Sequence, residues 1–143
     1  MLLPYGRFSP NKIAVRAIDT NIVVRLTAHD DPVQQAISEA LIRQPFMILP
    51  TVLMEAVWVL QTSFKLPPLE IVRRLGLLLG NPNADCISGE AVNWALHCFA
   101  KGADFADALH LALASEAQAT ALTTFDRGIS QISTPPIPIE TLA

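Results

Sequence analysis

Residues 14–28 read AVRAIDTNIVVRLTA, and the change of character at Asp19 decides the fold. Val15 to Ile18 is a short apolar run rich in strand formers. Asp19 ends it abruptly, and Asp19 or Thr20 can cap the helix that DTNIVVRLTA opens. A strand that breaks on an acid and passes at once into a helix sets up an alternating chain.

The alternation continues downstream. DDPVQQAISEALIRQ restarts a helix, with Asp30 or Asp31 as its cap, Pro32 in the first turn, and Val33, Ile37, Ala40 and Leu41 on one face. FMIL (46–49) is a second strand, and Pro50 and Thr51 open the helix that contains Glu55. LPPLEIVRRLGLLLG (66–80) is amphipathic, entering through Pro67 and Pro68 and stopping near Gly80 and Pro82. ADCI (84–87) reads as a minor strand. SGEAVNWALHCFAKG (88–102) is a helix capped by Ser88 and closed by Gly102. ADFADALHLALASEAQA (103–119) is another helix, TALTTF (120–125) a strand, and PPIPIETL (135–142) a short closing segment. This order predicts an α/β fold, a three-layer α/β/α sandwich with a largely parallel central sheet and right-handed crossovers. Residues 14–143 form its single domain, behind an N-terminal arm at 1–13.

Bulk properties fit that reading. A chain of 143 residues with 51% hydrophobic and 16% charged side chains buries a sizeable core without disulfides. The net charge of −3 removes a global basic field as the basis of nucleic-acid binding, though not a local one. Cys86 and Cys98 lack CxxC spacing and read as small buried hydrophobes of a reducing, cytoplasmic compartment. The longest apolar run, Pro45 to Leu60, is too short to span a membrane and contains Glu55.

Glu55 is the anomaly, because an unpaired carboxylate buried among hydrocarbon costs several kcal/mol. An ion pair with Arg16 or Arg25 is its structural explanation. A functional one follows from topology, in which Glu55, one turn into the helix after FMIL, lies close to a shared edge and faces a polar pocket lined by other acids. Asp19 ends the first strand, Asp126 ends the penultimate one, and Asp104 and Asp107 stand in the first turn of a helix. In open parallel sheets the carboxyl ends of strands and the N-termini of helices share one edge. Two carboxylates about 4 Å apart repel by roughly 4 kcal/mol at an effective dielectric near 20. Acids gathered there therefore require a cation or take up protons. An all-oxygen donor set selects Mg²⁺ or Mn²⁺ over zinc, and His29, His97 and His110 have no ligand spacing. Singly, each acid has an ordinary reading as a helix cap or turn residue.

In their order, IDTNIVVRLTAHDDP, LPTVLMEAVWVL, DFADALHLALA and ALTTFD resemble the PIN-domain ribonucleases, and among them the VapC toxins of toxin–antitoxin pairs. The similarity runs from Ala17 to about Arg127. It implies a Mg²⁺- or Mn²⁺-dependent ribonuclease whose acidic quartet, catalytic and metal-binding, falls on Asp19, Glu55, Asp107 and Asp126, with Asp104 as an optional fifth ligand. Thr20, Asn21 and Thr124 match supporting polar positions. The resemblance also implies a homodimer and a cognate antitoxin that packs near the acids. Arg25, Lys101 and Arg127 are candidate RNA contacts, with a solvated surface charge as the alternative for each. The lead, Met1 to about Lys12, is longer than in the family.

Competing functions fail on named positions or lose ground. A haloacid-dehalogenase-like metal-dependent phosphatase needs an acid two residues after the first Asp, where position 21 is Asn. A receiver domain needs a late lysine, and none follows Lys101. A non-catalytic PIN-like protein-binding module remains, and retention of all four acids argues against it.

Overall fold

The computed structural model describes residues 15–143, so the arm expected at 1–13 lies outside the described residues. Strand β1 (Arg16–Ala17) pairs in parallel with β2 (Phe46–Ile48), and β2 pairs in parallel with β3 (Ala84–Cys86). Strands β4 (Leu122–Thr124) and β5 (Ile139–Thr141) form a second parallel pair, so the described residues divide into two sheets. Single hydrogen bonds carry the ladders past the strand ends, as where the Ile18 amide donates to the Met47 carbonyl at 3.0 Å. The helices between them are α1 (Thr20–Ala28), α2 (Pro32–Leu41), α3 (Pro50–Thr62), α4 (Pro68–Leu79), α5 (Gly89–Ala100) and α6 (Phe105–Glu116). This is the expected α/β sandwich architecture, with a parallel sheet and helices as crossovers.

Strands of two or three residues contribute little area, so most of the core comes from helix faces. Phe46 and Ile48 of β2 are fully buried against Leu53 and Leu60 of α3, Ile71 and Leu75 of α4, and Leu109 and Leu111 of α6. Each such side chain contributes about 1.5–3 kcal/mol on burial. Helix α1 packs on α2 and α3, and α5 packs along α6. Arg74 of α4 donates to Glu70 at 2.6 Å and to the Thr27 carbonyl at 2.5 Å, which satisfies one of the free acceptors at the end of α1.

The helix starts are decided by local chemistry. Asp19 caps α1, its carboxylate accepting from the Thr20 amide at 2.8 Å. Asp31 caps α2 through the Gln34 amide at 3.0 Å. Asp104 caps α6 through the Asp107 amide at 2.9 Å. Pro50 and Pro68 open α3 and α4, where a missing N–H costs nothing. Ser88 stands at the start of α5 as expected, but it does not cap. Its backbone is left-handed, and its hydroxyl instead donates to Glu116 of α6 at 2.7 Å. Gly102 closes α5 with φ +105°, and the Ala103 amide returns to the Cys98 carbonyl at 3.1 Å.

Three further features complete the fold. Val33 and Ile37, which share a face of α2, are 71% and 64% exposed, so that face is not core at these two positions. The buried residue of α2 is Ser38. Cys86 and Cys98 are half-buried free thiols rather than core residues, and burial pushes both thiols up from their ordinary values. Among the described residues no helix is long and apolar enough to cross a membrane.

Candidate active site

The largest correction concerns Glu55, which is exposed rather than buried. Helix α3 buries Leu53, Ala56, Val57 and Leu60, the i, i+3, i+4, i+7 stripe. Glu55 follows Leu53 by two residues, about 200° around the helix, and so points away from that stripe. Neither proposed arginine holds it. Arg25 is engaged with Asp30 at 3.0 Å and Gln34 at 2.7 Å, and no ion pair to Glu55 occurs among the described residues. Its partner is the hydroxyl of Thr20, which donates to Glu55 Oε1. Thr20 is itself buried at the start of α1. The first turn of α1 thus supplies the capping carboxylate of Asp19 and, one residue later, the hydroxyl that holds Glu55.

Asp19, Glu55 and Asp104 line one cleft of about 590 Å³. Its other walls are mostly apolar, including Val52, Met54, Val57 and Phe105, with the indole of Trp58 64% exposed. Asp104 is shared with a second cleft of about 530 Å³, which Asp107 also lines. Asp104 therefore stands on the ridge between the two.

Asp107 is half-buried, and three influences raise its carboxyl above the ordinary value. Burial is the largest, followed by the negative charges of Asp104 and then Asp126, while His110 opposes them. Asp107 thus feels both neighbouring acids, although they lie on different elements. Asp126 is exposed in the turn after β4. Its amide donates to the Thr124 hydroxyl at 2.9 Å, and its carboxylate accepts from the Gly128 amide at 2.7 Å. Thr124 braces the backbone of Asp126 rather than its carboxylate.

The remaining sequence candidates are more scattered. Asn21 is exposed in the first turn of α1. Arg25 sits in the last turn of that helix, six residues or about 9 Å from Asp19 along the axis. Lys101 lines the second cleft, and Arg127 is exposed beside Asp126. Sequence reasoning missed Trp58 and Trp94. Spacing gave a signal for the first, since Trp58 follows Glu55 by one helical turn and must share its face.

The donor set suits a hard divalent ion. Every candidate ligand is a carboxylate oxygen, and the Asp107 carboxyl, raised first by burial and then by the charges of Asp104 and Asp126, is one whose ionised form a cation would favour. Among the described residues, no three His, Cys, Asp or Glu side chains are grouped tightly enough to hold one ion as they stand. Side-chain rotation on the exposed acids is needed to close such a site.

The sequence model of the PIN domain matches residues 17–135. No curated protein matches the chain.

Proposed function

This chain belongs to the PIN-domain family, whose members are generally nucleases that use divalent metal ions, and from that premise we propose a metal-dependent ribonuclease acting as the toxin of a toxin–antitoxin pair. The observation that carries the catalytic reading is the acidic ridge. Asp19, Glu55 and Asp104 share one cleft, and Asp107 registers the charges of Asp104 and Asp126. Asp19, Glu55 and Asp107 would hold the Mg²⁺ or Mn²⁺ ion, Asp126 would complete the set, and Asp104 would be an optional further ligand. When bound, the ion lowers the pKa of a coordinated water and polarises the scissile phosphate.

The residues around it have separate tasks. The capping bond of Asp19 fixes the base of its side chain at the start of α1. The Thr20 hydroxyl engages one oxygen of Glu55, so the other oxygen would remain to ligate the ion. Burial and the charges of Asp104 and Asp126 raise the Asp107 carboxyl, and a cation held there would favour its ionised form, while a carboxylate of the set would orient the attacking water. Attack by water at phosphorus breaks the P–O3′ bond, leaving a 5′-phosphate and a 3′-hydroxyl.

The toxin role rests on the sequence resemblance and on surface left for partners. Val33, Ile37, Leu69 and Leu77 are all more than 60% exposed, as expected of a chain that meets a second copy or an antitoxin.

Asp19→Asn tests the catalytic reading cleanly, because asparagine caps helices as well as aspartate does. Cleavage of single-stranded RNA in Mg²⁺ or Mn²⁺ falls at least a hundredfold while far-UV circular dichroism is unchanged. Cleavage at the parent rate removes Asp19 from the site. A non-catalytic module binds the ions in a titration yet leaves RNA intact.

A further inference from the structure

The second cleft has a composition that the first lacks. Trp94, His97 and Lys101 follow one another at i, i+3 and i+7 and lie along one face of α5 and its end. That face looks across the cleft to Gln131, Ser133 and Thr134, with Asp104 and Asp107 at its edge. An aromatic ring, an ammonium, an imidazole and several hydroxyl and amide groups therefore surround about 530 Å³, within the range of pockets that enclose a small ligand. Lys101 makes no ion pair among the described residues, as is also true of Arg16, Arg43, Lys65 and Arg127, and of these five it is the one that lines this cleft. A cation and an indole that line one cleft, in a chain of net charge −3, are a local feature rather than part of a basic surface.

We propose that this cleft is a nucleotide subsite, which takes the nucleotide flanking the scissile phosphate of single-stranded RNA. This inference rests on the ribonuclease reading of the acidic ridge. Lys101 and His97 meet the backbone phosphate of that nucleotide, and Trp94 offers its ring to the base. Gln131, Ser133 and Thr134 supply hydrogen bonds to sugar and base edges. The strand runs from the cleft over the ridge at Asp104, which brings the adjoining phosphate to the acids. A concave pocket of this size accepts only an unstacked base, so duplex RNA is excluded and loops or single strands are selected.

The test measures binding apart from cleavage. A fluorescein-labelled single-stranded RNA hexamer is titrated with the full chain in EDTA, and anisotropy is followed across a salt series. Lys101→Ala is expected to raise Kd several-fold and to reduce the slope of log K against log salt by about 0.7, the loss of one phosphate contact. Trp94→Ala is expected to raise Kd about tenfold, with Trp94→Phe restoring most of the affinity because it retains a stacking face. Should Trp94→Ala fail to fold, Lys101→Ala and the Trp94→Phe comparison still decide the matter. Parent-like Kd and salt slope in Lys101→Ala, or no binding by the parent, overturns the subsite. Binding that depends on both residues, with no cleavage in Mg²⁺ or Mn²⁺, upholds the subsite and removes the nuclease reading. Cleavage by a chain whose binding ignores both residues does the reverse.

Discussion

The hydroxyl of Thr20 and the carboxylate of Glu55 join α1 to α3, and a double-mutant cycle measures what that bond is worth. Thr20→Val keeps the shape of a buried side chain and removes the donor, while Glu55→Ala removes the acceptor. A hydrogen bond to a charged group contributes roughly 1.5–3 kcal/mol when both partners are shielded. Here the carboxylate is exposed and water replaces the lost donor, so the net value falls to about 1 kcal/mol. Each single variant is therefore expected to lose about 1 kcal/mol in urea denaturation at pH 7 in EDTA. That corresponds to roughly 3–5 °C in Tm for a chain of this length. The double variant should lose little more than either single one, because both delete the same bond, giving a coupling near 1 kcal/mol. Thr20→Val should also weaken Mg²⁺ binding, since Glu55 is then free to rotate away. Additive losses, within about 0.3 kcal/mol, would refute the reasoning and leave Glu55 held by nothing but its helix.

Two other outcomes concern proton binding. The Asp107 carboxyl should titrate above its ordinary 3.8 in carbon-detected NMR, and Asp104→Asn should lower the midpoint more than Asp126→Asn does. As an acid with a raised folded pKa, Asp107 contributes stability that is full below 3.8 and is lost as pH rises through the raised midpoint. Added Mg²⁺ should pull that midpoint down. Glu70 behaves in the opposite sense, because Arg73 and Arg74 hold its carboxyl down to about 2. Its contribution is present above 4.5 and fades as pH falls toward about 2, so Glu70→Gln should flatten that acid limb of a pH–stability curve.

The elements whose ends carry punctuation were legible in the sequence. Asp19, Asp31 and Asp104 announce three helices through caps that the structure contains, and Pro50 and Pro68 announce two more. Topology brought Glu55 to the acidic edge, but its exposure was not legible, because α3 is apolar on nearly every face and its outward stripe reads much like its inward one. Trp58 marks that outward stripe, yet an indole in an apolar run reads as core by composition. The α2 stripe misleads for the converse reason: periodicity shows that Val33 and Ile37 share a side, but not which neighbour, if any, lies opposite. The ridge was legible only as topology. Strand ends and helix starts bring the acids to one edge, whereas their division between two clefts depends on side-chain packing.

The corner at Gly102 carries a consequence for how this chain can vary. An added Cβ there would meet no atom within 4 Å, so crowding does not forbid another residue. The restriction is torsional, since φ +105° suits glycine and strains any side-chain-bearing L-residue. The heading of α6 out of that bend sets where Asp104 and Asp107 stand. A position where a side chain would touch nothing thus steers two carboxylates, and a search confined to side-chain contacts would pass it over.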